Sequence, residues 1–241
     1  KLRMGHLHGN RFQVLLTDVD FAEGGLFSAG LIDLAAKGLV NRYGDQRFGA
    51  GGDNVAEGLA ILRGQRGERD VRRRRLLLSA VQSAVFNRAL ALRAETGGLL
   101  KVRTGDVLQK TVTGGLFVSS EPEVDQPRVD AGEVIPTGPM PGSRETAPPP
   151  TSPAGGLCFE GAREVGTTVD ELAGVGRELP GSRRPVIVKV TLGAPPTTFE
   201  GTSLRLRFSL PSGCYATVLL EALAGLAPSG PVLDFQAPAR S

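Results

Sequence analysis

The sequence contains no tryptophan, and only two cysteines, two histidines and two methionines among 241 residues. Two cysteines cannot staple a disulfide scaffold. Together with two histidines they leave almost no room for a four-ligand zinc site of the usual kind. Aromatic residues make up 5% of the chain. There is no run of 18 apolar residues, so no transmembrane helix is expected. The opening residues, Lys1 to His8, lack the apolar stretch of a signal peptide, and a cytoplasmic location is the default expectation. An initiator Met is also missing, which marks Lys1 as a candidate truncation point. The glycines and prolines are too many for a coiled coil, and no Gly-X-Y period points to collagen.

Several catalytic signatures are absent as well. No Gly-x-Gly-x-x-Gly follows a strand, and Gly49-Ala50-Gly51-Gly52 lacks the Lys-Ser/Thr of a phosphate-binding loop. No Gly-x-Ser-x-Gly elbow occurs. His6 and His8 form a His-x-His pair, but a metal needs a third ligand, so they read as solvated histidines. Cys158 and Cys214 read as unpaired, partly buried thiols.

What is present is an ordinary folded composition, 40% hydrophobic and 22% charged, with a net charge of +3. The cations are mostly arginine. Residues 12–19 alternate loosely and predict a strand. Residues 26–39 carry apolar side chains near helical spacing. A glycine-rich loop follows, and Asp53 or Asn54 can cap a short helix through Leu62. Arg63, Arg66, Arg69 and Arg72 to Arg75 lead into the strongest helix, 76–93, with Leu78, Val81, Val85 and Leu92 on one face. The arginines suit either phosphate binding or a solvated helix entry. Short strands are predicted at 107–112 and 116–119. Residues 122–156 hold nine of the 17 prolines and predict a long loop or extended segment. A weak helix follows over 161–175. Strands are expected at 185–192 and 203–210, the latter alternating cleanly: leucines and Phe208 on one face, Arg205 and Arg207 on the other. A last helix spans 215–226, before a loose Pro/Gly-rich tail.

Local polar and aromatic clusters sit at the ends of these elements. Gly9-Asn10-Arg11-Phe12 opens the first strand. Asn41-Arg42-Tyr43-Gly44-Asp45-Gln46-Arg47-Phe48-Gly49 fills one loop. Leu78 to Asn87 and Gly105-Asp106 follow, and Leu210-Pro-Ser-Gly-Cys-Tyr-Ala-Thr217 links the last strand to the last helix. Read as residues alone, each has two interpretations. Phe12 and Asn10 are either a stacking ring and an amide for an unstacked base, or a core residue and a turn former. The 41–48 loop either faces RNA or packs structurally with Tyr43 and Phe48 buried. Ser79, Gln82, Ser83 and Asn87 read as helix packing and polar links.

These five blocks, in this order and with these gaps, resemble the TruD-type tRNA pseudouridine synthases over nearly the whole chain. The resemblance implies an α+β fold: a partial pseudouridine synthase catalytic core interrupted by a TRUD insertion domain. Residues 1–36 and 188–241 would belong to the core, the latter including the tail, and 37–187 to the insertion. The implied activity is isomerisation of a uridine in tRNA, with no metal and no cofactor. An Asp carboxylate starts C–N cleavage, the uracil turns, and a C–C bond forms. That nucleophile sits in a Gly-Leu-Lys-Asp-like motif upstream of the Gly-Asn-Arg-Phe block. No such motif exists in these residues, and Asp18, Asp20 and Asp106 do not match it. The nucleophile is therefore expected upstream of Lys1, in a fragment inactive by itself. Asn10, Phe12 and Tyr215 would form the base pocket. Arg11, Asn41, Tyr43, Gln46, Arg47 and Phe48 would bind RNA. Two departures stand out: Arg42 replaces an aromatic of the family loop, and Glu221-Ala222 replaces an Arg-Glu pair. The expected partner is tRNA, with no membrane and a monomer favoured. The alternative is a non-catalytic RNA-binding module or degenerate paralogue that kept the tRNA surface.

Overall fold

The computed structural model describes residues 9–49 and 51–225. His6, His8 and the Pro/Gly-rich tail lie outside them. In chain order the elements are Gly9–Leu16 (β1), Phe21–Lys37 (α1), Leu39–Val40 (β2), Asp53–Leu62 (α2), Val71–Glu95 (α3), Val107–Lys110 (β3), Leu116–Val118 (β4), Pro122–Asp130 (α4), Val134–Met140 (β5), Pro153–Val165 (α5), Val169–Gly174 (α6), Ser182–Pro185 (β6), Ile187–Val188 (β7), Thr191–Glu200 (β8), Ser203–Pro211 (β9) and Ala216–Ala224 (α7). The fold is α+β. The chain divides into two compact units, residues 1–39 with 188–241, and residues 40–187.

The first unit is an antiparallel sheet in the order β1-β9-β8. Strand β9 buries Leu204, Leu206, Phe208 and Leu210 in strict alternation, which selects one face for the core. Those side chains join Phe27 and Leu31 of α1 and Val218, Leu219 and Leu223 of α7 in one cluster. Each such buried side chain contributes roughly 1.5–3 kcal/mol of transfer free energy. Asp18, at φ 55°, turns the chain out of β1, a backbone region that aspartate tolerates. Asp20 then caps α1, its carboxylate accepting from the Glu23 N–H at 2.7 Å.

In the second unit α3 is the central helix, packed against α2, α5 and β5. Asp70 caps it, accepting from the N–H groups of Arg72 and Arg73. A side chain at Gly58 of α2 would meet the Leu77 carbonyl of α3 at 2.4 Å, so this glycine allows the two helices to approach closely. The sheet runs β4-β3-β5-β6.

The proline-rich segment 122–156 is a loop only over 141–152, which holds Pro141 and Pro148 to Pro150. It forms α4 and β5, and most of β5 is buried. Pro122 occupies the first helical turn, with Glu123 and Asp125 beside it, where a missing N–H costs nothing and acidic groups suit the helix dipole. Strand β5 pairs with β3 through 134–136 and with β6 through 137–140. Pro139 lies in the half that pairs with β6 alone, an edge-like position, whereas Pro136 stands opposite Leu108 on one side and its carbonyl accepts from the Val186 N–H at 3.0 Å on the other. Pro153 likewise starts α5 behind the Ser152 cap.

Candidate functional site

Each unit carries some of the residues the sequence singles out. In the first, β1 pairs with β9 in a register that sets Asn10 opposite Leu210, Arg11 opposite Ser209 and Phe12 opposite Phe208. The Phe12 and Phe208 rings stack with centroids 5.3 Å apart at 26°. Phe12 is half-buried against the apolar cluster, and so is Tyr215, which stands at the N-cap of α7. The fold thus brings Phe12 and Tyr215 to one cluster, while Asn10 remains exposed on the same strand face as Phe12. Arg11 projects from the other face. A cleft of about 600 Å³ is lined by Arg11, Phe12, Gln13, Leu192, Arg207 and Phe208 among others.

In the second unit the 41–48 segment is knitted to α3 and β6. Asn41 is buried; its Nδ2 donates to the Pro185 carbonyl at 2.9 Å. Arg184 donates to both the Asn41 carbonyl and its Oδ1, and its guanidinium lies 4.3 Å from the Tyr43 ring centroid. The Tyr43 N–H donates to Asn87 Oδ1 at 2.8 Å, and Asn87 Nδ2 donates back to the Tyr43 carbonyl at 2.9 Å. Phe86 meets the Tyr43 ring edge-on. Arg47 donates from Nε to Ser83 Oγ and from Nη2 to Ser79 Oγ. The structure therefore places Asn41, Tyr43 and Arg47 in internal bonds. Gln46 is exposed. Phe48 lines a cavity of about 660 Å³ with Asp45, Val55, Ala84, Asn87 and Arg88.

The aspartates are also accounted for. Asp20 is a cap. Asp106 is buried in a two-point ion pair with Arg93, at 2.6 and 2.7 Å. Asp18 is exposed in its turn. A second buried pair joins Arg183 to Glu145 at 2.7 Å. Burial pushes the Glu145 carboxyl above its ordinary range, outweighing the pull of Arg183. Burial also pushes the Cys158 thiol up to about 12. No group of three His, Cys, Asp or Glu side chains that could hold a metal occurs among the described residues.

Sequence reasoning missed Arg184, Gln13 and the cleft position of Arg207. Arg184 is some 140 residues from its partners, and no local period could signal that pairing. For Arg207 the alternation in β9 did supply a signal, since it placed the side chain on the polar face.

Comparison with known proteins assigns this architecture to a family of RNA-modifying proteins. The model of the family tRNA pseudouridine synthase D (TruD) matches residues 1–69 and 70–223, and the chain belongs to that family. It is 39% identical over 235 residues to tRNA pseudouridine synthase D of Anaeromyxobacter dehalogenans (strain 2CP-C), covering 92% of this chain and 64% of that protein. Identity to the protein of that name from Geobacter metallireducens is 31% over 292 residues, covering 95% and 71%. To its namesake in Thermus thermophilus it is 36% over 223 residues, covering 92% and 59%. The chain thus spans just under two thirds of the first of these relatives. The fold is shared with the crystal structure of the Methanosarcina mazei protein designated tRNA pseudouridine synthase D, at a TM-score of 0.66 and 18% identity, covering 91% of this chain and 69% of that one.

Proposed function

We propose that the protein of which these 241 residues are part is a tRNA pseudouridine synthase. The family match across residues 1–223 carries this reading, and the names of the relatives favour it over a non-catalytic RNA-binding module. The reaction breaks the N1–C1′ bond of a uridine and joins C5 to C1′. C5 loses its proton to solvent and N1 gains one, so no atoms are exchanged with a cofactor. The carboxylate nucleophile is supplied by a segment outside these residues. In support, Asp106 is committed to Arg93 and Asp20 to a helix cap.

Residues 1–36 and 188–241 act in this reading as part of the catalytic core, and 37–187 as the family-specific insertion, a division within three residues of the boundary between the compact units. Asn10, Phe12 and Tyr215 receive the uridine extruded from its stack, an aromatic face and a polar edge being what an unstacked base requires. Arg11, Gln46 and Phe48 contact RNA, and the bonded network of Asn41, Tyr43 and Arg47 shapes the loop that presents them. The enzyme works on tRNA in the cytoplasm.

The test uses tRNA labelled with tritium at uridine C5. The full-length protein is expected to release tritium to water, and residues 1–241 alone are not, because positioning without a nucleophile leaves the glycosidic bond intact. Failure of the full-length protein on every tRNA would refute the assignment. Turnover by residues 1–241 would refute the placement of the nucleophile.

A further inference from the structure

We propose that the cleft on the polar face of the three-stranded sheet binds the sugar–phosphate backbone of an RNA strand, with Arg11 and Arg207 as its two phosphate contacts. The inference rests on the tRNA reading above and adds a subsite to it. Its basis is the sheet register. Because β9 turns Leu204, Leu206, Phe208 and Leu210 into the core, Arg205, Arg207 and Ser209 face the other way. Arg11 lies opposite Ser209, which in turn lies opposite Thr191; Gln13 lies opposite Arg207. One row across the sheet is therefore Arg11, Ser209 and Thr191, and the next is Gln13 and Arg207. The two arginines are diagonal neighbours on one face, which puts their backbones about 7–8 Å apart.

The charge of the cleft's two arginines has no carboxylate partner among the described residues. Among the described residues, no carboxylate lines the cleft. Arg11 makes no hydrogen bond or ion pair among the described residues. Among the described residues Arg207 donates only to neutral oxygens, Thr198 Oγ1 at 2.8 Å and the Pro195 carbonyl at 3.4 Å. Its neighbour Arg205 provides the contrast, bonding Glu200 through both Nε and Nη2. Glu200 is within electrostatic reach of Arg207, but its carboxylate is held below the usual range chiefly by the bond from Arg205.

The backbone around Arg207 is shaped to leave it there. The register between β8 and β9 jumps from Leu192 opposite Phe208 to Thr197 opposite Leu206, so residues 193–196 bulge beside Arg207. A side chain at Gly193 would come within 2.6 Å of the Arg207 Cβ, so only glycine lets β8 pass this side chain so closely. Two separated cations, an amide and two hydroxyls along one groove suit an extended polyanion better than a single ion. An acidic peptide would find no apolar anchor, because the side chains of Phe12, Leu192 and Phe208 belong to the cluster on the opposite face.

The experiment measures binding of tRNA and of oligouridine to the full-length protein by fluorescence anisotropy across a salt series. Arg11→Gln and Arg207→Gln are each expected to reduce the slope of log K against log salt by roughly 0.7–0.9, and the double variant by about twice that. Arg205→Gln, which removes a cation already paired, is expected to leave the slope unchanged. Ser209→Glu, which places a carboxylate beside Arg11 without touching the bulge, should lower the slope by about one. A double variant with the parent slope would overturn the groove while tRNA binding itself, and the reading it rests on, survives. So would an Arg205→Gln effect equal to that of Arg207→Gln, or displacement of RNA by polyglutamate as effectively as by oligouridine. If the full-length parent protein binds no RNA even at low salt, both the groove and the tRNA reading fall.

Discussion

Asp106 decides whether a conspicuous aspartate is chemical or structural. Its side chain is 3% exposed and that of Arg93 5%. Arg93 also donates to the carbonyls of Leu99 and Lys101, and Asp106 accepts from the Arg103 N–H at 2.8 Å. The pair thus ties the last turns of α3 to the loop leading into β3. Asp106→Ala leaves a guanidinium buried without its counter-charge and a backbone N–H without its acceptor. Breaking one side of such a pair costs about 3–5 kcal/mol, which for a chain of this size lowers the melting temperature by roughly 6–20 °C. Asp106→Asn retains the acceptor oxygen and should fall at the lower end of that range. Replacing both residues by apolar ones, Arg93→Met with Asp106→Leu, should recover much of the loss, since no unpaired charge then remains. Urea titration and calorimetry on the four proteins measure this cycle. An Asp106→Ala variant that melts within about 1 kcal/mol of the parent, yet abolishes tritium release by the full-length enzyme, would refute the structural assignment and make Asp106 a candidate for the chemistry.

The other expectations are briefer. In the full-length enzyme Phe12→Leu should cost about 1.5 kcal/mol or less in stability but greatly reduce uridine isomerisation; melting without loss of activity in the folded fraction would make Phe12 a core residue only. Glu145, whose folded-state titration lies above its ordinary value, contributes stability that is complete below the unfolded carboxylate range and is lost as pH rises through its folded titration. The stability difference between the parent and Glu145→Gln should therefore be larger at pH 4 than at pH 7 in urea titrations, and a difference that grows with pH would contradict this. At pH 8 the buried Cys158 thiol, pushed up to about 12, should react with iodoacetamide far more slowly than in urea, and equal rates would show the site is open. Trypsin should cut after Lys110, beside the exposed 111–115 turn, before it cuts after Arg128, which is bonded to Asp125 within α4; the reverse order would contradict a folded α4.

Where local pattern and tertiary environment agree, the sequence was readable. Strand β9 shows its two faces because a half-buried strand must alternate. Helix α3 was legible over 76–93 through sustained apolar spacing, while its first turn behind the Asp70 cap, Val71 to Arg75, read as an arginine-rich lead-in. The clusters at the ends of β1, in the 41–49 loop and before α7 were visible as residues, and their order pointed to the family. The tertiary structure decided what those residues touch. Proline content in 122–156 argued for a loop, which holds over 141–152, but in a strand the main loss at proline is the hydrogen bond from its own nitrogen. Whether that bond was needed depends on which neighbours flank β5, and those come from β3 and β6. Tyr43 and Asn41 are held by Arg184, a pairing across more than 140 residues that no local period records. Arg205 and Arg207 are indistinguishable in the sequence, two residues apart on one strand face. They separate only in the fold, because β8 carries Glu200 to the first and bulges beside the second, leaving one charge neutralised and the other with no carboxylate partner among the described residues.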